Sequence, residues 1–405
     1  MKLDPARHPW MTAPETKAVF AALGAENARF VGGVVRDSLL GREVGDIDIA
    51  TRLLPEDVSK RLTDAGLKAV PTGIEHGTIT AVSGGKPFEI TTLRRDVETD
   101  GRHAVVAYSR DWKEDAGRRD FTINALYAGA DGEVFDYFGG VEDLNAGRVR
   151  FVGDASQRIA EDNLRILRLF RCHAWYGRGE MDADALRAAQ AQRASLQKLS
   201  GERVQKELLR LLQAADPMPV LRVMAATGIL AELLPGTLRL DRLERLVAID
   251  QDNFFEPDAL LRLAALAPPT EARARLKLSN AQMDRLSDLA NAQERIVSYL
   301  AIKEVRRLLY RLGPQRFKDR VFLKWAEDPK ESNAIQWRAL LAMADAWQRP
   351  RFPLSGENVK NAGVPEGPLV GRVLAEVEDW WIESDFTDDE FSLAERLKAV
   401  VQALV

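Results

Sequence analysis

Two spacing regimes divide the chain. Up to position 147 apolar residues form short runs, and beyond it they recur every three or four positions. Runs rich in β-branched and aromatic residues predict strands at 30–35, 46–51, 77–82, 88–93, 105–108 and 133–138, and the stretch 55–66, opened by Pro55, predicts a helix. Ser83-Gly84-Gly85-Lys86-Pro87 reads as a hairpin turn between two of these strands. Later breakers fall at Asp216-Pro217, Leu234-Pro235-Gly236, Pro268-Pro269, Asp328-Pro329 and Pro350-Arg351-Phe352-Pro353. The expected fold class is α+β: a small mixed or antiparallel sheet in 1–147, then helical segments 148–215, 216–270 and 271–405.

Composition narrows the function classes. With 405 residues, 46% apolar and 29% charged, the chain can build two or three domains with real cores. No stretch is apolar enough to cross a membrane, and Met1 to His8 lacks the core of a signal peptide, so no membrane partner and a cytoplasmic location are expected. The single Cys172 excludes an internal disulfide and, with four scattered His, leaves no zinc pattern; any metal should be oxygen-bound. A net charge of −4 argues against a global basic field. Between Arg148 and Leu212, however, 13 Lys and Arg stand against 8 Asp and Glu, a patch sufficient for a short RNA contact.

Three groups of residues carry candidate chemistry. Asp46 and Asp48 sit one residue apart on an expected strand, so both carboxylates share a face about 6.6 Å apart along the chain and can lean onto divalent ions. Hard oxygen donors point to Mg2+. Gly32-Gly33 just upstream would let backbone N–H groups approach a triphosphate, and Arg36 can fork onto phosphate oxygens. Next, Arg118-Arg119-Asp120-Phe121-Thr122-Ile123-Asn124 offers phosphate donors, an acceptor for a ribose hydroxyl and a two-way amide. Taken alone, that run fits a salt-bridged helix start better. Finally, helical spacing gathers Ile159, Ile166, Leu167 and Phe170 on one side, leaving Arg158, Glu161, Asp162, Arg165 and Arg168 on the other. Asp162 and Arg165 then lie side by side at i, i+3, an acceptor beside a double donor. Cytosine and adenine both present an amino group next to a ring acceptor, the order such a pair matches, whereas uracil and guanine reverse it. A surface ladder of ion pairs fits that helix at least as well when it stands alone.

The motifs Gly32-Gly33-Val34-Val35-Arg36-Asp37 with Asp46-Ile47-Asp48, the Arg118 to Asn124 run, Asp136-Tyr137-Phe138-Gly139-Gly140-Val141-Glu142-Asp143-Leu144 and Glu161-Asp162-Asn163-Leu164-Arg165 occur in that order. Together they resemble the ordered motifs of class II tRNA nucleotidyltransferases, the CCA-adding enzymes, which share a superfamily with bacterial poly(A) polymerases. The resemblance spans 30–212. It implies a DNA polymerase β-type nucleotidyltransferase head (1–147), a helical neck that recognises the base (148–215), a helical body (216–270) and a helical tail that binds tRNA (271–405). It also implies catalytic, metal-holding Asp46 and Asp48, and nucleotide contacts at Gly32, Gly33, Arg36, Arg119, Asp120, Asn124, Glu161, Asp162, Arg165, Arg168 and Arg171. By helical arithmetic Arg171 lies opposite Asp162.

The charged stretch 94–103, with Arg94, Asp96, Asp100, Gly101 and Arg102, suits a mobile surface loop. In the resembled family a loop at this place is the lever for switching from C to A addition. The implied reaction adds C, C and A to the 3′ end of tRNA from CTP and ATP with Mg2+, by a monomer or homodimer. Poly(A) polymerase, CC-only or A-only addition, and an RNA- or nucleotide-binding protein on an inactive transferase fold are the competing readings. The Gly-basic-basic-Phe run of the poly(A) enzymes is missing after Asp48. Trp380-Trp381 and the glycines between Gly363 and Gly371 are expected to serve helix packing.

Overall fold

Among the described residues the β-rich runs of the first third become nine strands: β1 Ala28–Val31, β2 Asp48–Thr51, β3 Lys68–Gly73, β4 Thr78–Ser83, β5 Lys86–Thr92, β6 Arg94–Thr99, β7 Ala104–Tyr108, β8 Leu126–Ala128 and β9 Val134–Asp136. Seven form one sheet in the order β3-β4-β5-β2-β1-β8-β9, and β6 pairs with β7 as a separate ribbon. Only β2 and β5 run parallel; the other neighbours are antiparallel. The computed structural model describes residues 1–99, 104–387 and 389–404.

Alternation gives the sheet two characters. Ile49, Ile90 and Ile79 are register partners on one face, all buried, with the helices Pro14–Leu23 and Pro55–Asp64 packed against β4. Their neighbours Asp48, Glu89 and Thr80 therefore share the opposite face. At the tip of the β4–β5 hairpin Gly84 and Gly85 both have positive φ, 55° and 79°, as a two-residue primed turn requires.

The structure corrects the sequence reading in three places. The strand expected at 30–35 stops at Val31 because Gly32 takes φ 72°, ψ −122°, open to glycine, and turns the chain into the helix Gly33–Leu39. Much of the expected loop 94–103 is instead the β6–β7 ribbon, with a register shift between Asp96 and Glu98. Asp100, Gly101, Arg102 and His103 lie outside the described residues. The short strand β8 and the half-exposed β3 carry too little apolar pattern to have been marked.

The chain divides into two compact units, 1–236 with 275–277, and 237–274 with 278–405. In the first, the sheet is followed by helices that include Gly140–Ala146, Ala155–Glu161, Leu164–Tyr176, Gly201–Leu212, Met218–Ala226 and Ile229–Leu233. Leu164–Tyr176 lies along Gly201–Leu212 and buries Ile166, Leu169 and Phe170, while its partner buries Leu208, Leu211 and Leu212. Among the described residues the second unit holds helices and no strand. Arg285 bridges Asp258 and Asp319, and buried Arg262 pairs with Asp250. Trp381 is core, packed edge-on against Tyr310, and Val359 and Val364 are buried with Val373 and Val377 beside the glycine-rich turn. No described helix is long and apolar enough to cross a membrane.

The segment around Asp143 acts as a latch. Asp136 accepts from the backbone N–H of Phe138, Gly140 and Val141, and a Cβ on Gly140 would meet the Thr122 carbonyl oxygen at 2.1 Å. The Asp143 side chain, fully buried, accepts from Thr122 Oγ1 at 2.6 Å, Arg148 Nε at 2.8 Å and Arg150 Nε at 2.6 Å. Asp143→Ala, by removing the buried acceptor shared by Thr122, Arg148 and Arg150 and leaving the buried Thr122 hydroxyl unpaired, should lower unfolding free energy by about 1–3 kcal/mol. Arg148→Ala, at a half-exposed position and with Arg150 and Thr122 still on Asp143, should cost much less. Urea unfolding of both variants measures the difference.

Candidate active site

The glycine turn and β2 bring Gly32, Gly33, Asp46 and Asp48 to one end of the sheet. Asp46 precedes β2 and is exposed, and Asp48 is its first residue, half-buried. Parallel pairing sets Glu89 of β5 level with Asp48, a third carboxylate on the same face. Sequence reading missed Glu89. The signal was present, since it is the one acid between buried Phe88 and Ile90, but only the β2–β5 register places it next to Asp48. Burial, then the charge of Glu89, and then that of Asp46, push the Asp48 carboxyl up to about 6, with Arg119 pulling the other way. Among the described residues no three acid, imidazole or thiol groups form a preformed ligand set. The hard oxygen donors and the mutual repulsion that raises Asp48 nonetheless suit a divalent cation, which would relieve that repulsion.

Arg119 is the cation aimed at this end. Its Nε donates to Tyr127 Oη at 3.1 Å and its Nη2 to Asp115 at 3.2 Å, and Nη1 lies 3.6 Å from where a Gly32 Cβ would stand. Asp115 is buried and would be pushed up by that burial, but Arg119, Arg118 and the Tyr127 hydroxyl outweigh it and hold the carboxyl at about 2.

Asp120 and Asn124 form the floor. Asp120 accepts from Phe121 N at 2.8 Å, Asn124 Nδ2 at 3.0 Å, and Arg168 through Nε at 2.7 Å and Nη2 at 2.5 Å. Against the upward push of burial, Arg168, then Asn124, keep this carboxyl at about 2. Asn124 Oδ1 in turn accepts from Arg36 Nη1 at 2.5 Å. Arg36 is buried and also donates to both Asp37 oxygens at 2.9 Å and to Tyr176 Oη at 2.6 Å. The structure thus turns most of the Arg36 fork inward, where the sequence reading had it reaching for phosphate. Arg171 Nε donates to Glu207 at 2.5 Å, so it belongs to the bridge between helices 164–176 and 201–212.

The base-reading pair differs from its expected form. Helix Ala155–Glu161 ends at Asp162, whose φ −151°, ψ 106° is extended, and a new helix starts at Leu164. Asp162 and Arg165 therefore flank a break and do not share one helical face. The break exposes the Asp162 carboxylate, which accepts from Leu164 N at 3.1 Å and from Arg203 Nη2 at 3.0 and 2.8 Å. Arg165 donates to Glu161 at 2.5 Å and to the carbonyls of Arg158 and Arg118. Arg203 was not singled out by sequence, because it lies forty-one residues from its partner. Arg94 donates to the His76 carbonyl at the base of the ribbon.

Known proteins resemble the chain over these same residues. Residues 28–150 match the family described as Poly A polymerase head domain, and 180–240 match the one described as Probable RNA and SrmB-binding site of polymerase A. The human protein named CCA tRNA nucleotidyltransferase 1, mitochondrial, is 34% identical, over 91% of this chain and 86% of its own length. A CCA-adding enzyme of Streptococcus pyogenes is 32% identical, over 91% and 93%. Among solved structures, the Bacillus stearothermophilus CCA-adding enzyme in complex with CTP matches with a TM-score of 0.78 at 27% identity, covering 96% of this chain and 100% of that one.

Acid should dismantle the site first. Asp115 and Asp120 have folded values below the ordinary 3.8, so their stabilisation is present above that pH and is lost as pH falls toward 2. Each contributes roughly 2 kcal/mol by linkage. Asp120→Asn should be less stable than the parent at pH 7 and show a shallower loss of stability between pH 4 and 2 in urea titrations followed by tryptophan fluorescence.

Proposed function

Because the chain belongs to the CCA-adding tRNA nucleotidyltransferases, we propose that its head-end carboxylates and the broken helix at Asp162 are the parts with which it completes the 3′-terminal CCA of tRNA from CTP and ATP, releasing pyrophosphate. The observation that carries this assignment is the placement of Asp48 and Glu89 on one sheet face, with Asp46 just before the strand and Arg119 both close enough to act on Asp48, and with Asp162 and Arg165 on the same compact unit. Residues 1–147 act as head, 148–215 as neck, 216–270 as body and 271–405 as the tail that holds tRNA. The family as a whole uses divalent metal; Mg2+ is proposed for this chain, and cytoplasm as its compartment.

Asp46 and Asp48, with Glu89 in support, hold the divalent ions. When bound, these supply Lewis-acid stabilisation of the charge that develops on the attacking and leaving oxygens. Arg119 sits where it can neutralise phosphate oxygens, and Asp115 and Tyr127 keep it there without freeing it to move. Asp120 and Asn124 support the ribose side through Arg168 and Arg36. At the base edge, Asp162 accepts from the amino group of C or A and Arg165 donates to the adjacent ring nitrogen, so U and G leave both groups unsatisfied. Arg203 and Glu161 are the protein's own partners of these two groups and hold them in position.

The deciding assay supplies tRNA lacking CCA with each nucleotide in turn. Addition of C, C and then A is expected; CTP incorporation alone would indicate a CC-adding enzyme, and long A-tails on unrelated RNA a poly(A) polymerase. Asp48→Ala should lower turnover by at least about a thousandfold while CTP binding persists. A pure binding protein would keep its function in that variant. Since the Asp48 carboxyl titrates near 6 without metal and must be ionised to bind one, the Kd for Mn2+ should fall as pH rises from 5 to 7. Isothermal titration checks it, and a pH-independent Kd would remove Asp48 from the metal site.

A further inference from the structure

Helix Leu164–Tyr176 points from the base-reading break toward a recess of about 420 Å³, lined by Gly33, Asp46 and Asp48 on one side and by Arg42, Trp175, Tyr176 and Arg210 on the other. From Arg165 to Trp175 the helix rises about 15 Å. That is of the order of an extended nucleoside triphosphate measured from its base edge to its last phosphate. A nucleotide read at Asp162 and Arg165, with its α-phosphate at Asp46 and Asp48, would bring its terminal phosphates into this recess.

Two arginines are held ready there. Arg42 Cζ lies 4.9 Å from the centre of the Tyr176 ring and Arg210 Cζ 4.9 Å from that of Trp175. Arg42 Nη2 donates to the Trp175 carbonyl at 3.0 Å, and Trp175 Nε1 donates to the Arg210 carbonyl at 2.8 Å. The Trp175 ring is thereby tied to the backbone of the arginine it supports, and the Arg42 side chain to the backbone next to the ring that supports it. Both arginines are exposed, and neither has a carboxylate at ion-pair distance among the described residues. Arg36 spends its fork on Asp37, Asn124 and Tyr176, and its contact with Asp37 neutralises one acid of the recess. Glu43 also lines the recess, together with the two catalytic carboxylates, so a ligand entering it meets both cations and acids.

Resting on the nucleotide placement proposed above, we infer that Arg42 and Arg210, seated on Tyr176 and Trp175, bind the terminal phosphates of the incoming nucleotide and the pyrophosphate that leaves. In the transfer, the RNA 3′ oxygen bonds to the α-phosphorus as the bond from that phosphorus to the bridging oxygen breaks. The electron pair departs with pyrophosphate, and the hydroxyl proton passes to solvent. The two arginines meet the charge gathering on the departing group, and being exposed they can let it go.

The test uses the full chain and its Arg42→Gln, Arg210→Gln and Arg42→Lys variants. In pyrophosphorolysis of tRNA ending in CCA, either glutamine variant should raise KM for inorganic pyrophosphate by about tenfold, the loss of one charge-assisted hydrogen bond. KM for tRNA and the preference for C and A over U and G should stay within about twofold, and Arg42→Lys should recover part of the loss. Direct titration of inorganic pyrophosphate with Mg2+ into each protein gives the same comparison without turnover. Unchanged pyrophosphate affinity in both glutamine variants overturns the inference, and so does a rise in KM confined to tRNA, which would make the recess a seat for the RNA end. If the parent chain adds nothing to tRNA lacking CCA yet loses pyrophosphate affinity on substitution, the assigned reaction fails while the anion seat stands.

Discussion

The site depends on one buried carboxylate. Asp120, 7% exposed, gathers Arg168 from helix 164–176, the Asn124 amide and the Phe121 N–H around a single charge. Removing so compact an ion from water costs several kcal/mol, and only this set of donors offsets the cost. The same contacts join the segment that follows Arg119 to the helix that follows Asp162. The residues proposed to face phosphate and those proposed to face the base are therefore parts of one electrostatic unit, and Arg36 extends it through Asn124 to the glycine turn.

Carboxylates in this unit are pushed in opposite directions, and the direction separates their tasks. Asp115 and Asp120 are each surrounded by guanidinium groups, which hold them ionised at about 2 in spite of burial. They aim other side chains and carry fixed charge. Asp48 shares its face with Glu89 and has Asp46 close by, so burial and repulsion lift it to about 6. A group carrying unrelieved negative charge is one that gains from a cation, whereas a satisfied one gains nothing. The arginines divide in the same way. Arg36 and Arg171 are spent on the protein itself, while Arg42 and Arg210 are exposed at the recess with no carboxylate at ion-pair distance among the described residues.

Much of the site was legible before the fold. The Asp48 position on its strand needed only strand periodicity, which overreached at Asp46, in a bend before β2, and at Gly32, where a positive φ open to glycine ends the strand. Helical spacing in 159–170 picked out the buried Ile159, Ile166, Leu167 and Phe170 correctly. It failed at Asp162, because a break of two residues is invisible to a periodicity that averages over two turns. The 94–103 stretch was read as a loop because its charges hid the alternation of a two-stranded ribbon, an element stabilised by its partner strand more than by apolar pattern.

By itself the sequence determined the α+β class, the identity of most of the charged groups and their order along the chain, since these follow from local propensity and from residue chemistry. Only the tertiary structure decided which of those groups are free to meet a ligand. Register set Glu89 beside Asp48, helix packing gave Asp162 its Arg203 partner, and burial turned Arg36 inward while leaving Arg42 and Arg210 on the surface. Each outcome is a contact between residues far apart in the chain. Such contacts are chosen by the free energy of desolvating and pairing charges in a packed interior, a quantity with no local signature.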